Sequence, residues 1–108
     1  MFLVLYKWHV KRGMEEQFRE AWRRGTRAIT RRYGSYGSRL CRDAEGAFVG
    51  AAEWPSEDVW REAMAKGMEH DDVEAHQMFE DATLDGGAPV LTLTILDDLL
   101  RRPGESER

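Results

Sequence analysis

Between Phe2 and Val10 apolar side chains recur at every second position, with Phe2, Val4, Tyr6, Trp8 and Val10 on one side and Leu3, Leu5, Lys7 and His9 on the other. That is the period of a strand, and its first half is greasy on both faces. Arg12-Gly13 ends it. From Met14 to Arg32 the period lengthens, and Met14, Phe18, Trp22, Ile29 and Tyr33 fall at helical spacing. Glu15 and Glu16 stand in the first turn of this predicted helix and Arg27, Arg31 and Arg32 crowd its last, the arrangement that suits the helix dipole. Gly34 closes it.

The stretch from Tyr36 to Trp60 reads as strand, turn, strand and helix start. Ser35 to Asp43 runs extended, Asp43-Ala44-Glu45-Gly46 has the residues of a tight turn, and Ala47 to Trp54 runs extended again. Pro55 stops that strand because it lacks the N–H a ladder needs. Ser56 then caps a helix with Glu57 and Asp58 in its first turn and Val59, Trp60, Ala63 and Met64 as its apolar stripe, ending near Gly67. A further short helix over about 72–82 takes Asp71 or Asp72 as its cap. Gly86-Gly87 and Pro89 form a loop, and Val90 to Leu96 returns to a strand.

The order β-α-β-β-α-β, with its second helical region split, predicts an α+β, ferredoxin-like antiparallel sheet with helices on one face. Residues 1–100 form this single domain, and 101–108, polar with Pro and Gly, read as a flexible tail. Two helical regions cover one face of four strands. Leu3 and Leu5 on the first strand, and Leu91, Leu93 and Ile95 opposite Val90 and Leu96 on the last, supply more apolar surface than one face absorbs. An apolar patch of that kind marks an interface, so a two-fold homodimer packed through its sheet faces is expected.

Composition narrows the partners. A chain of 108 residues holds one core. A net charge of -4 gives no positive field to gather phosphates, which argues against nucleic acid. No apolar run is long enough to span a bilayer. The single Cys41 forms no internal disulfide, and no secretory pattern opens the chain, so the cytoplasm is the expected compartment.

Four features together resemble the antibiotic biosynthesis monooxygenase-like family, whose members form dimeric α+β barrels. They are Trp8-His9-Val10-Lys11-Arg12-Gly13 leading into Glu15-Glu16-Gln17-Phe18 with Trp22 one turn on; Gly34-Ser35-Tyr36-Gly37-Ser38-Arg39-Leu40; Gly46 before an Ala-rich strand; and Glu53-Trp54-Pro55-Ser56 with Trp60. The resemblance runs from Phe2 to Leu100. It implies a pocket between sheet and helices for a flat aromatic or polyketide-like molecule that activates oxygen itself, with no flavin, metal or other cofactor. The protein then favours the phenolate or enolate and excludes water. The alternative is a non-catalytic, dimeric ligand-binding or structural protein of the same fold.

Under that resemblance the candidate catalytic residues are Tyr6, Trp60 and His76, and the candidate substrate-binding residues are Arg42, Glu53, Gly50 and Ala52. Each has a plainer reading. Trp8, Trp22, Trp54 and Trp60 are core or interface aromatics, Tyr6 buries its ring, His76 and His9 are solvated, and Gly50-Ala51-Ala52 admits close packing. A haem-degrading branch of the family carries an Asn on the first strand, a Trp on the helix after the hairpin and a His on the next helix. Here Tyr6 or Lys7 stands for the Asn, Ala63 for the Trp with Trp60 one turn earlier, and His76 comes late, so haem cleavage is disfavoured. Asp72 and His76 lie one helical turn apart, but no Cys pair or His-Glu-x-x-His pattern accompanies them, and no metal site is assigned.

Overall fold

The computed structural model describes residues 1–101; the tail predicted over 101–108 lies outside them apart from Arg101. The elements run β1 (Phe2–Trp8), α1 (Glu15–Tyr33), β2 (Gly37–Arg42), β3 (Phe48–Trp54), α2 (Glu57–Ala65), α3 (Val73–Ala82) and β4 (Pro89–Thr94). One four-stranded sheet results, in the order β2-β3-β1-β4 with every neighbouring pair antiparallel. This is the ferredoxin-like α+β arrangement.

Local chemistry sets the ends of the elements. Gly34 closes α1 in the left-handed region at φ 78, its N–H donating to the Thr30 carbonyl, a conformation that Gly adopts without the Cβ penalty. Ser56 accepts from the Val59 N–H to cap α2, and Asp72 accepts from the Ala75 N–H to cap α3. In the β2–β3 turn the Asp43 carboxylate accepts from the N–H groups of Glu45 and Ala47. The first strand is shorter than its alternation suggests. After Trp8 the chain leaves the sheet and pairs with the end of α3 through an isolated bridge of Val10 to Thr83, with the Lys11 N–H on the Ala82 carbonyl and the Leu84 N–H on the His9 carbonyl. The last strand ends at Thr94 rather than Leu96. Its register slips opposite Leu5 and Tyr6, where Tyr6 pairs with Pro89 and leaves Val90 without a counterpart.

Strand alternation sorts the sheet into two faces. Toward the helices point Phe2, Val4, Tyr6 and Trp8, paired with Trp54, Ala52, Gly50 and Phe48. They build two apolar clusters. One joins Phe2, Val4, Ala52 and Trp54 to Trp60 and Ala63, the other joins Trp8 and Phe48 to Phe18 and Ala82, and Tyr6 packs against both. Away from the helices point Leu3, Leu5, Val49 and Ala51, with Leu93 paired to Leu3 and Leu91 to Leu5. Leu91 and Leu93 remain 48% and 40% exposed, and no helix or strand among the described residues covers this face. No helix among the described residues is long and apolar enough to cross a membrane.

Candidate functional site

Between the helices and the sheet lies a half-open cavity of about 560 Å³. Its sheet side is Tyr6, Trp8, Ala52 and Trp54; its helix side is Trp22, Gly25 and Ile29 of α1 with Met64 of α2 and Phe79 of α3; the α2–α3 connection adds Met68 and His70. Aromatic rings and two thioethers stand in this wall beside small residues, with Thr26, Ser35, Ser38, Thr83, Glu80 and Asp85 as its other polar side chains.

Tyr6 sits at the centre. Its ring stacks on Trp8 at 5.8 Å with 14° between planes. Its hydroxyl oxygen accepts from the Trp60 indole N–H at 2.8 Å and its proton points to the Met64 sulfur at 3.9 Å. A thioether is a weak acceptor, so that proton remains available to a better one. Burial pushes the phenol above its ordinary value, against the hydrogen bond from Trp60, which lowers it. The hydroxyl is therefore a neutral donor at physiological pH.

Trp8 is held from three sides. Its ring meets Phe18 and Phe79 at 5.7 and 5.6 Å, and two glycines make its seat. A Cβ on Gly50 would lie 2.8 Å from Trp8 Cη2, and one on Gly87, whose φ is +65, would lie 1.8 Å from its Nε1. Trp54 is 2% exposed, and its Nε1 is buried without a hydrogen-bond partner among the described residues. An unpaired buried donor costs about 1–3 kcal/mol.

Two histidines close the helix side. His70 lies above Gly25, its Nε2 3.5 Å from where a Cβ of that residue would stand, and its Nδ1 accepts the Asp72 N–H at 3.1 Å. Burial foremost, then the neighbouring His76, holds His70 below the ordinary histidine value. His76 is at the rim, its ring 6.2 Å from that of His70 and its Nε2 2.9 Å from Glu80. Asp72 is occupied by Arg24, through two hydrogen bonds of 2.7 and 3.0 Å, and by the Ala75 N–H. It belongs to the clamp between α1 and α3 rather than to a pair with His76.

Among the residues proposed from sequence, Tyr6, Ala52 and His76 line the cavity, and Trp60 touches it through the Tyr6 hydroxyl. Three lie elsewhere. Glu53 pairs with Leu3 and Gly37 and so shares the outer face of the sheet. Arg42, at the end of β2, lays its guanidinium 4.5 Å over the Phe48 ring, an exposed cation on an apolar edge. Gly50 makes room for the Trp8 indole rather than for a ligand. His9 is exposed, as its place at the strand edge suggests, and pairs with Asp85 at 2.6 Å. Sequence reasoning missed His70 as a cavity residue and treated Trp8, Trp22 and Trp54 as core. The signal for His70 was Gly25, a glycine inside a helix, where close approach of another group is the usual reason for its presence.

No protein-family profile matches the chain and no curated protein matches it. Solved structures do. Rv0793 from Mycobacterium tuberculosis superposes with a TM-score of 0.65 at 15% identity, over 92% of this chain and 98% of that one. SnoaB, a cofactor-independent oxygenase from Streptomyces nogalater, gives 0.65 at 17%, over 93% and 97%. A structure named antibiotic biosynthesis monooxygenase gives 0.56 at 16%, over 90% and 100%. Identities this low speak for architecture alone: the chain has the fold of the antibiotic biosynthesis monooxygenases.

Proposed function

We propose that the chain is a cofactor-independent monooxygenase acting on a small, flat aromatic or polyketide-like compound in the cavity between sheet and helices. The observation that carries this reading is the cavity, whose volume of about 560 Å³ lies in the range of small-molecule sites. Its lining includes the flat rings of Tyr6, Trp8, Trp22, Trp54 and Phe79 and is mainly apolar. In the reaction a phenol or enol of the substrate loses a proton and the resulting anion reduces dioxygen. One oxygen atom ends as a new carbonyl, and the other leaves as water with the two hydrogens of the oxidised carbon.

The protein's part is binding and electrostatics. Trp8, stacked on Tyr6, offers a plane for the ring system, and the Tyr6 hydroxyl donates to the oxyanion as charge develops there. Trp60 acts through Tyr6 as a positioning residue. Donation of the His76 Nε2–H to Glu80 leaves Nδ1 with the free lone pair, so His76 is the candidate base. The uncovered apolar face of the sheet supports a homodimer packed face to face, and the free thiol of exposed Cys41 suits a reducing compartment such as the cytoplasm.

Oxygen uptake with a panel of anthrones and hydroxyanthraquinones tests the reading. Consumption above the uncatalysed rate, with one labelled oxygen from dioxygen in the product, is expected, and His76→Ala should slow it. The second reading, a ligand-binding protein without chemistry, draws on the solvent exposure of His76, whose side chain is 61% exposed. Saturable binding with no oxygen consumed across the panel would decide for it.

A further inference from the structure

The connection between α2 and α3 is pinned on both sides of His70. Before it, the Glu69 carbonyl accepts from Arg32 Nη1 at 2.7 Å and from the Tyr33 hydroxyl at 2.5 Å, both on the last turn of α1. After it, the Asp72 carboxylate is gripped by Arg24 from the middle of the same helix. The ring between these anchors has one nitrogen committed. Nδ1 accepts the Asp72 N–H, so it holds a lone pair and the ring proton resides on Nε2. Burial keeps this imidazole neutral at pH 7, with His76 and Arg31 acting the same way against the opposing Asp72 and Asp71. Nε2 stands over Gly25, a cavity-lining residue, and donates to no protein acceptor among the described residues. A bulky side chain at position 25 would cover it.

We infer that His70 is a specificity-determining residue of the cavity, a tautomer-locked Nε2–H that selects ligands bearing a carbonyl or phenolic oxygen on the aromatic frame. His70 and Tyr6 line the same cavity, His70 from the helix side and Tyr6 from the sheet side. A hydrocarbon frame without oxygens leaves these donors unpaired and is disfavoured for that reason. The inference rests on the proposal that the cavity takes a flat aromatic compound, and it adds the residue on the helix side that reads an oxygen on that compound.

Two probes of one shape separate the effects: anthraquinone-2-sulfonate, with two ring carbonyls, and anthracene-2-sulfonate, with none. Equilibrium dialysis of the unsubstituted protein is expected to show about five- to tenfold tighter binding of the quinone, the size of one or two neutral hydrogen bonds. His70→Phe should cut that ratio by about threefold or more, leaving at most the share of the Tyr6 hydroxyl, with anthracene-2-sulfonate unweakened, and His70→Gln, which keeps a donor, should retain most of the native preference. In the unsubstituted protein the Nε2–H resonance of His70 should shift with the quinone and stay in place with the hydrocarbon. This readout needs no variant to fold. A native ratio near unity, or a ratio that survives His70→Phe, removes His70 from the inference while the aromatic site stands. Failure of both probes to bind would overturn the aromatic site and the inference with it.

Discussion

The indole N–H of Trp60 reaches the Tyr6 hydroxyl oxygen at 2.8 Å and so ties α2 to β1 at the centre of the sheet. The bond joins a buried donor, on a residue 8% exposed, to the phenol of the candidate site. Tyr6→Phe removes the acceptor and strands that donor, at a cost of about 1–3 kcal/mol. Trp60→Phe removes the donor instead and takes away the influence that lowers the Tyr6 phenol, so tyrosinate should appear at higher pH in a spectrophotometric titration. Urea denaturation of the two variants and the double variant should give a coupling of about 1 kcal/mol. Full additivity would mean the bond contributes nothing.

Gly50 is the seat of Trp8. A Cβ there would stand 2.8 Å from Cη2 and 2.9 Å from Cζ3, and the ring has little freedom to retreat, with Tyr6, Phe18 and Phe79 against it. Gly50→Ala should therefore destabilise by about 1–3 kcal/mol, the usual cost of overpacking. Trp8→Phe shortens the ring that clashes, so the double variant should be more stable than the two single losses added together. Equal stability of Gly50→Ala and the native protein, measured by the urea midpoint, would mean that the indole moves freely.

The architecture was legible because it is written in local chemistry. The alternation of Phe2, Val4, Tyr6 and Trp8 is a strand's period; Gly34, Ser56 and Asp72 act as the stop and the caps their chemistry suggests. The site was less legible because sequence gives the type of a side chain and not the neighbours it meets. Glu53 shows where the reading stopped short. It adjoins Trp54, whose inward direction was available from alternation, and a strand then obliges Glu53 to point outward. His70 and Trp22 were hidden for a different reason, since residues about fifty positions apart become one wall only when α3 docks on α1.

That docking depends on the Arg24–Asp72 pair, and it carries a pH signature. Arg24 first, then the Ala75 N–H, holds the Asp72 carboxyl below its ordinary value of 3.8. A depressed carboxyl stabilises fully above the unfolded value and loses its contribution as pH falls through the folded one. Asp72→Asn should consequently lower the thermal midpoint at pH 7 and differ less from the native protein as the pH drops below about 4. A difference that is the same at both pH values would assign the loss to packing.

His70 titrates in a higher window. Its folded value is depressed below 6.5, by burial first and then by His76, so the unfolded chain binds the proton more readily. Stability is fully present above that ordinary value and falls as the pH descends toward the folded one, because protonation of Nδ1 also abolishes its acceptance of the Asp72 N–H. The groups around the ring are His76 from α3, Arg31 from α1, and Asp71 and Asp72 in the connection. The thermal midpoint should decline as the pH falls below about 6.5, and His70→Gln should flatten that decline. An unchanged slope in the variant would place the titration on another group.

The uncovered sheet face gives the most direct test of assembly. Leu93 pairs with Leu3 and Leu91 with Leu5, so four leucines form one stripe beside Val49 and Ala51. Burying each against a second copy is worth up to about 1.5–3 kcal/mol, and a charge in the middle of the stripe would forfeit this and leave an unpaired ion in the interface. Thr92 supplies the control, because it pairs with Val4 and so lies on the opposite face of the same strand. Light scattering at micromolar concentration should find the native chain and Thr92→Glu as dimers, and Leu5→Glu and Leu91→Glu as monomers. A native chain that is monomeric, or a Leu91→Glu variant that stays dimeric, would rule out this face as the place where two copies meet.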